Sequence, residues 1–575
     1  MPRIGFRCVR YEPAKVGLHT VDQDGKDSKR CGHTPGFAAF FCIVTEKKAD
    51  KASLKEQSVW LLTAKIIGFA LSFFLPLIIV RYLSQEAVGH YRAAFLVIMN
   101  AVIILPLGLS MSAYYFLARE TERRGAAIFN ILLFNFAVGG LACLFLFLFP
   151  QSLGELFQSE ELTRLAPKIG VVIWIWIFAT FLETVAIANQ EARAATVFII
   201  LAQLSKTLLM GSAVLVFATV DAFIWAAMIQ GVIQTAILIY YIRTRFPGFW
   251  RGFEWSFFRE QAMYAIPFGL TGVLWTAQHD IHNYFAGHSF SNADFAVYAY
   301  GCFEVPLIAM LSESVASVLI PRMNELHKEG NKEEMIRLTT RAMQKLALVY
   351  FPIFAFLFVT SRTFIITLFT EQYAAAADVF SINLILLPLG VMITDPIVRS
   401  YKELGRFFLV TRIMVLAGVV AVLYVGLGSF SMTGIISVAV GAIIIEKVIA
   451  ETMVVRKLGL GLRHLAMLKN VGKAAVISLV AGVVTYLVYS NVHEYLRVAG
   501  QHFAEETFHT SDLGAVNFVG GSLVLLISGL VFAPIYVIGA NLWGLIEDSE
   551  KNAVRSMLRK FWPLRTAEPA TDTRG

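Results

Sequence analysis

Charge is scarce in this sequence. Only 16% of its 575 residues are Asp, Glu, Lys or Arg, 57% are hydrophobic, and the mean hydropathy is +0.65. Long stretches carry no charge at all, which excludes a soluble globule and gives the composition of a polytopic helical membrane protein. Cysteine is scarce too. Cys8, Cys31 and Cys42 lie in the N-terminal stretch, Cys143 and Cys302 in apolar segments, and none forms a CxxC pair. Neither a zinc site nor a disulfide framework is supported. A concentrated basic patch is also missing: the net charge of +8 is spread over many short loops, which argues against a nucleic-acid partner. The apolar patch at 36–44 is too short to cross a bilayer and too far from Met1 for a signal peptide. Residues 1–56 read as a disordered cytoplasmic tail. No methionine occurs between Met1 and Met99, which is compatible with a start near Val44 or Leu54.

What is present is a series of apolar segments. The pattern predicts an all-α protein of about fourteen transmembrane helices. Six lie near 58–80, 93–117, 126–149, 167–188, 196–218 and 221–241. Six more lie near 262–285, 295–320, 346–366, 376–398, 408–427 and 433–455, and two near 474–489 and 517–545. With the N-terminus inside, the inner loops hold twenty-three Lys and Arg residues and the outer loops six. That asymmetry is the positive-inside pattern, and the even count puts the basic tail 546–575 inside as well. The longest outer loop, 491–517, reads as solvated.

The sequence also repeats. Leu83-Ser84-Gln-Glu-Ala-Val-Gly89-His-Tyr91 opens the second segment, and Phe290-Ser291-Asn-Ala-Asp-Phe-Ala296-Val-Tyr298 opens the eighth. Leu156-Phe157 before the fourth mirrors Leu368-Phe369 before the tenth. Two six-helix lobes in parallel repeat, 57–245 and 250–457, plus two C-terminal helices in 474–545, fit this order, and such repeats surround a central cavity in transporters.

The motif Arg81-Tyr-Leu-Ser-Gln-Glu-Ala-Val-Gly-His-Tyr91, followed by Tyr264-Ala-Ile-Pro267, Tyr298-Ala, Pro321-Arg and Leu368-Phe369-Thr-Glu-Gln-Tyr373, resembles the bacterial polysaccharide-biosynthesis membrane proteins. These are the oligosaccharide flippases of the multidrug/oligosaccharidyl-lipid/polysaccharide superfamily. The resemblance covers about 57–460. Thr370 departs from it, standing where the family often has Gly. The resemblance implies alternating access by two lobes and movement of a polyprenyl-diphosphate-linked oligosaccharide from the cytoplasmic to the outer leaflet of the bacterial inner membrane. It also implies polymerase and chain-length partners.

An anionic diphosphate head needs cations inside a cavity. Lys206, deep in its segment among Gln203, Ser205 and Thr207, and Lys65 in the first segment are the candidates. Glu183 is a possible ion-pair partner for Lys206. Lys447 and Arg412 read as snorkelling to the inner interface, with a local Lys447–Glu451 bridge as a further reading. His279, Asp280 and His282 share one stretch, with His279 and His282 on one helix face. With Glu304 they form a candidate set for coupling to a proton or sodium gradient. Glu313, nine residues beyond Glu304, faces the other side of an ideal helix. Asp395 and Arg399 mark a structural or gating break. Pro267 and Pro306 are expected to break the seventh and eighth helices. Neither a bound metal nor a catalytic residue is indicated.

The resulting expectation is a non-enzymatic flippase with lipid-linked oligosaccharide as substrate. The alternatives are a cation-coupled multidrug exporter or a peptidoglycan lipid-precursor flippase on the same fold. An exporter wants carboxylates and few cations, whereas Lys65 and Lys206 favour an anion. A glycan polymerase or ligase is disfavoured, because the largest outer loop holds Arg497 as its one Lys or Arg.

Overall fold

The computed structural model describes residues 54–120, 122–509, 512–548 and 551–552. The chain divides into two compact units, Met1–Val59 and Trp60–Gly575. Of the first, only residues 54–59 are described, as the opening of helix α1 (Leu54–Tyr82). The tail expected over 1–56 and most of 546–575 therefore lie outside the described residues. No strand occurs among the described residues.

The second unit is helical throughout. After α1 come α2 (Gln85–Ile104), α3 (Ala113–Arg119), α4 (Arg124–Leu148), α5 (Gln151–Phe157), α6 (Glu160–Ala179), α7 (Phe181–Ala188), α8 (Ala192–Phe217) and α9 (Val220–Arg245). Then follow α10 (Trp255–Ser289), α11 (Asn292–Gly301), α12 (Pro306–Lys328), α13 (Lys332–Phe369), and the short α14 (Ala376–Asn383), α15 (Leu386–Gly390) and α16 (Asp395–Ser400). The chain closes with α17 (Lys402–Val425), α18 (Met432–Leu458), α19 (Lys469–Phe508) and α20 (Leu513–Leu542). Among the described residues, ten helices are long and apolar enough to cross a membrane. The count of fourteen rests on four further segments. One runs into residues of uncertain placement (α1), one is rich in polar groups (α10), and two are interrupted (292–328 and 376–400).

The interruptions follow the local chemistry. The eighth predicted helix breaks at Cys302–Val305, and Pro306 takes the first position of α12, where its missing N–H costs nothing. The seventh does not break: α10 runs straight through Pro267. It is braced on both sides, by Tyr115 stacked on Tyr264 with centroids 4.4 Å apart and by Gly269 against the Leu107–Gly108 backbone. A Cβ on Gly269 would come within 2.0 Å of the Leu107 oxygen. The segment 376–400 is three short helices, because Pro388, Gly390 and Pro396 each disfavour helix continuation. The basic run Arg322–Lys345 is split at Gly330, whose φ of 71° ends one helix before the next begins. The outer loop predicted over 491–517 is mostly helix, since α19 continues to Phe508. Gly500 and Gly520 let α19 and α20 touch backbone to backbone: a Cβ on Gly520 would lie 2.7 Å from the Arg497 oxygen. Small residues at such a crossing replace the solvation that the loop reading assumed.

The sequence repeat is a pair of mutual contacts. Ser84 and Ser291 each cap their helix, accepting from the N–H of Ala87 at 3.3 Å and of Asp294 at 3.1 Å. The two helices they open, α2 and α11, pack on each other. Gly89 sits so close to Asn292 that a Cβ would approach its carbonyl oxygen to 1.8 Å. Before the first motif, Arg81 donates to the Leu368 carbonyl at 2.9 Å and to Thr367 at 3.1 Å. Before the second, His288 meets the Leu156 carbonyl at 3.1 Å. Each half thus holds the other's Leu-Phe landmark, and Tyr91, Tyr298, Phe157 and Phe369 are buried in one core.

Gly89→Val forces the α2–α11 backbones apart, so a loss of about 1–3 kcal/mol is expected, as in overpacked cores. Gly211→Ala, at a site where a Cβ meets nothing within 4 Å, is expected to be neutral or slightly stabilising. Thermal unfolding of the two variants in detergent at equal concentration checks this; equal midpoints would contradict the close crossing.

Candidate functional site

Polar side chains are costly inside an apolar bundle, about 2.5–3.5 kcal/mol for a charge at a helix centre. Among the described residues, three of the clusters they form are two cavities and a buried ion pair.

The first is a cavity of about 230 Å³ between α2, α6, α7, α8 and α9. Lys206 and Gln203, three apart on α8, face Gln230 and Gln234, four apart on α9. Glu183 and Thr180 complete its polar lining, and Trp176 and Met99 are among its apolar walls. Lys206 is about 21 Å along a helix of about 39 Å, so its ammonium cannot reach either end. Its Nζ lies over the Trp176 ring, 5.3 Å from the centroid, a favourable cation–π contact. Trp176 is fixed in turn by its indole N–H, which donates to the Ala227 carbonyl at 2.9 Å. Lys206 and Glu183 line one cavity. The side chain of Lys65 on α1 lies outside those described.

The second is a cavity of about 260 Å³ where α2, α10 and α11 meet the Cys302–Val305 break. His279, Asp280, His282 and Glu304 all line it, together with Arg92, Asn283 and Asn383. His279 Nε2 is 3.2 Å from the Glu304 carboxylate, and the His279 ring stacks on Trp275 at 5.7 Å. His282 is buried, and its Nδ1 is 2.6 Å from the Tyr298 hydroxyl. Arg92 donates to the Ala299 carbonyl at 2.9 Å and lies over the Tyr300 ring at 4.6 Å. Glu304 stands in the break itself, which frees it from the helix register that set it opposite Glu313. Glu313 lies on α12, and its side chain is outside those described. Among the described residues, no three His, Cys, Asp or Glu side chains stand together as metal ligands. Met99 lines both cavities.

The third place is a buried ion pair. Arg412 on α17 donates from Nη2 to Glu446 on α18 at 2.7 Å and from Nε at 3.2 Å. Gln278 on α10 donates to the other Glu446 oxygen at 2.5 Å. Arg412 also lies between the Trp275 and Phe408 rings, 5.2 and 4.9 Å away. Arg412 therefore does not snorkel. Lys447 does not form the predicted bridge with Glu451: its ammonium donates to the Met392 carbonyl at 3.1 Å, and Glu451 Oε1 is buried without a hydrogen-bond partner among the described residues. Asp395 and Arg399 form a local pair one turn apart, 3.0 Å, at the start of α16 and exposed on both sides.

Arg92, Gln230, Gln234, Asn283 and Asn383 were not among the residues singled out from the sequence. The one available signal was an amide or guanidinium inside an otherwise apolar segment, strongest for Gln230 and Gln234 at helical spacing.

Residues 78–378 match the family model for "Polysaccharide biosynthesis protein". The chain belongs to this polysaccharide biosynthesis protein family. No curated protein matches it in sequence. Among solved structures, the lipid II flippase MurJ in an inward closed conformation is similar at 14% identity and a TM-score of 0.65, over 84% of this chain and 98% of that one. A MOP superfamily transporter from Pyrococcus furiosus is similar at 16% identity and a TM-score of 0.51, over 70% of this chain and 96% of that one. An outward-facing multidrug resistance MATE family transporter of the same superfamily shares 18% identity and a TM-score of 0.51, over 72% of this chain and 97% of that one. At these identities the likeness is one of fold. This polysaccharide biosynthesis family member is thus a multi-pass membrane protein with the MOP transporter fold.

Arg412→Met strands a buried carboxylate, so a loss of about 3–5 kcal/mol is expected. Adding Glu446→Leu removes the stranded charge and is expected to recover most of that loss. Thermal unfolding of the single and double variants checks it; a double variant no more stable than the single would contradict the buried pairing.

Proposed function

We propose that this protein is a flippase that carries a polyprenyl-diphosphate-linked oligosaccharide across the bacterial inner membrane for exopolysaccharide, capsule or O-antigen synthesis. The single observation that carries the reading is Lys206. One ammonium stands halfway along a helix, in an interior cavity whose other polar groups are mainly amides. A fixed cation at that depth is costly unless an anion or a dipole uses it, and a diphosphate head is the anion that the family's chemistry offers. The reading makes the protein a transporter without a chemical step of its own.

In this account, residues 57–245 and 250–457 are two lobes that rock about the α2–α11 crossing. Alternate opening at the two faces exposes the Lys206 cavity to each leaflet in turn. Both termini are cytoplasmic, in line with the basic inner loops. His279, Asp280, His282 and Glu304 couple the cycle to a proton or sodium gradient, and a polymerase and chain-length machinery receive the product. A flippase for the peptidoglycan lipid precursor is the second reading, favoured by the likeness in fold to the lipid II flippase. A multidrug exporter is less favoured, since organic cations would be repelled by Lys206.

The test replaces Lys206 in cells where this protein is the sole flippase of its pathway, with membrane levels matched. Lys206→Ala is expected to lower surface polymer about tenfold or more, the scale of one lost charged hydrogen bond, and to accumulate lipid-linked intermediate on the cytoplasmic side. Lys206→Arg is expected to restore part of both. Normal polymer with Lys206→Ala would remove Lys206 from the site.

A further inference from the structure

We infer that Gln230 and Gln234 read the sugar nearest the diphosphate, making the α8–α9 side of this cavity a carbohydrate subsite. The inference rests on the flippase reading and adds the residues that select its cargo. The starting point is Gln230. It is 4% exposed, lines the cavity and has no hydrogen-bond partner among the described residues. Its amide opens onto the cavity with no protein partner among those residues, so both its donor and its acceptor are available to a ligand there. Gln234 lies one turn away on the same face of α9 and lines the same cavity.

The lining chemistry selects between phosphate and sugar. A phosphate oxygen only accepts hydrogen bonds, so it uses half of what an amide offers and is repelled by a carboxylate. Hydroxyl and acetamido groups both donate and accept, and match both ends of a glutamine. The charged residues lining this cavity are one ammonium, Lys206, and one carboxylate, Glu183. A second phosphate would find no second cation there, whereas a sugar hydroxyl could donate to Glu183. Lys206 is also placed to one side, its Nζ drawn over Trp176, which leaves the amides of α9 as the facing wall. At about 230 Å³ the cavity is small against an oligosaccharide, so the amides meet the sugar nearest the diphosphate and leave the remainder of the glycan unread.

The test uses the full chain reconstituted in lipid vesicles. The probes are fluorescent short-chain polyprenyl diphosphates, either bare or carrying one glucose, galactose or N-acetylglucosamine. Wild type is expected to move at least one sugar-bearing lipid faster than the bare one. Gln230→Leu and Gln234→Leu, close in volume and apolar, are expected to reduce that preference about three- to tenfold, the scale of a lost neutral hydrogen bond or two. They are expected to leave the bare-lipid rate near wild type, and that rate also reports that each variant is folded. The inference is overturned if wild type moves all four lipids alike, or if the leucine variants slow bare and sugar-bearing lipids equally. If wild type moves none of them, the flippase reading itself falls and takes the inference with it. If Lys206→Ala abolishes movement of all lipids while the leucine variants keep the sugar preference, the flippase reading stands and the amide assignment falls.

Discussion

The close crossing of α2 and α11 sets the geometry of everything else. Helix axes usually lie 8–10 Å apart, with side chains between them. Here Gly89 removes the side chain and brings one backbone against the Asn292 carbonyl. Two backbones in contact leave no room for sliding, so the crossing acts as a fixed point. The clasps Arg81–Leu368 and His288–Leu156 flank it on either side. Because each clasp ties one repeat to the landmark of the other, a shift of either half strains both. Arg92 extends the same contact inward, spanning from α2 to the Ala299 carbonyl on α11. The acid- and histidine-lined cavity begins directly beside it.

Beyond that crossing, α10 bridges two environments. Its first half packs on the N-terminal repeat through Gln261, which accepts from Asn130 at 2.8 Å, and through Tyr264 on Tyr115. Its second half turns to the other repeat through Gln278 and Glu446. His279 follows Gln278 by one residue, about 100° round the helix, and points to Glu304 instead. Two adjacent residues thus meet two carboxylates on different elements. Any movement of α10 relative to the Cys302–Val305 break must alter how His279 meets Glu304, which gives the second cavity a mechanical link to the helix packing.

How far this was legible in the sequence depended on the physical basis of each signal. Hydropathy placed ten of the predicted segments on helices long and apolar enough to span, since twenty apolar residues have few other fates in a membrane. The repeat was legible because Ser84 and Ser291 cap helices and Tyr91 and Tyr298 fill one core. The proline signal failed at α10 because the effect of Pro267 depends on what braces it: Tyr115 and the Leu107–Gly108 backbone lie some 150 residues away in the chain. The loop reading of 491–517 failed for a related reason: its polar residues argue for solvent until Gly500 and Gly520 are known to bring α19 and α20 together. Of the site residues, Lys206, His279, Asp280, His282 and Glu304 were visible as charges in apolar segments. Gln230 and Gln234 were not singled out, because the reading of the apolar segments followed charge and an amide carries none.

Met99 gives the two cavities their relation. It is the residue that lines both, one position before Asn100, whose amide donates to Tyr284 on α10 at 3.0 Å. A thioether on three rotatable bonds can fill a gap or swing from it at little cost, whereas the neighbours Asn100 and Arg92 are held by hydrogen bonds. The wall between a cavity holding an ammonium and one holding carboxylates is therefore soft at one point and fixed around it.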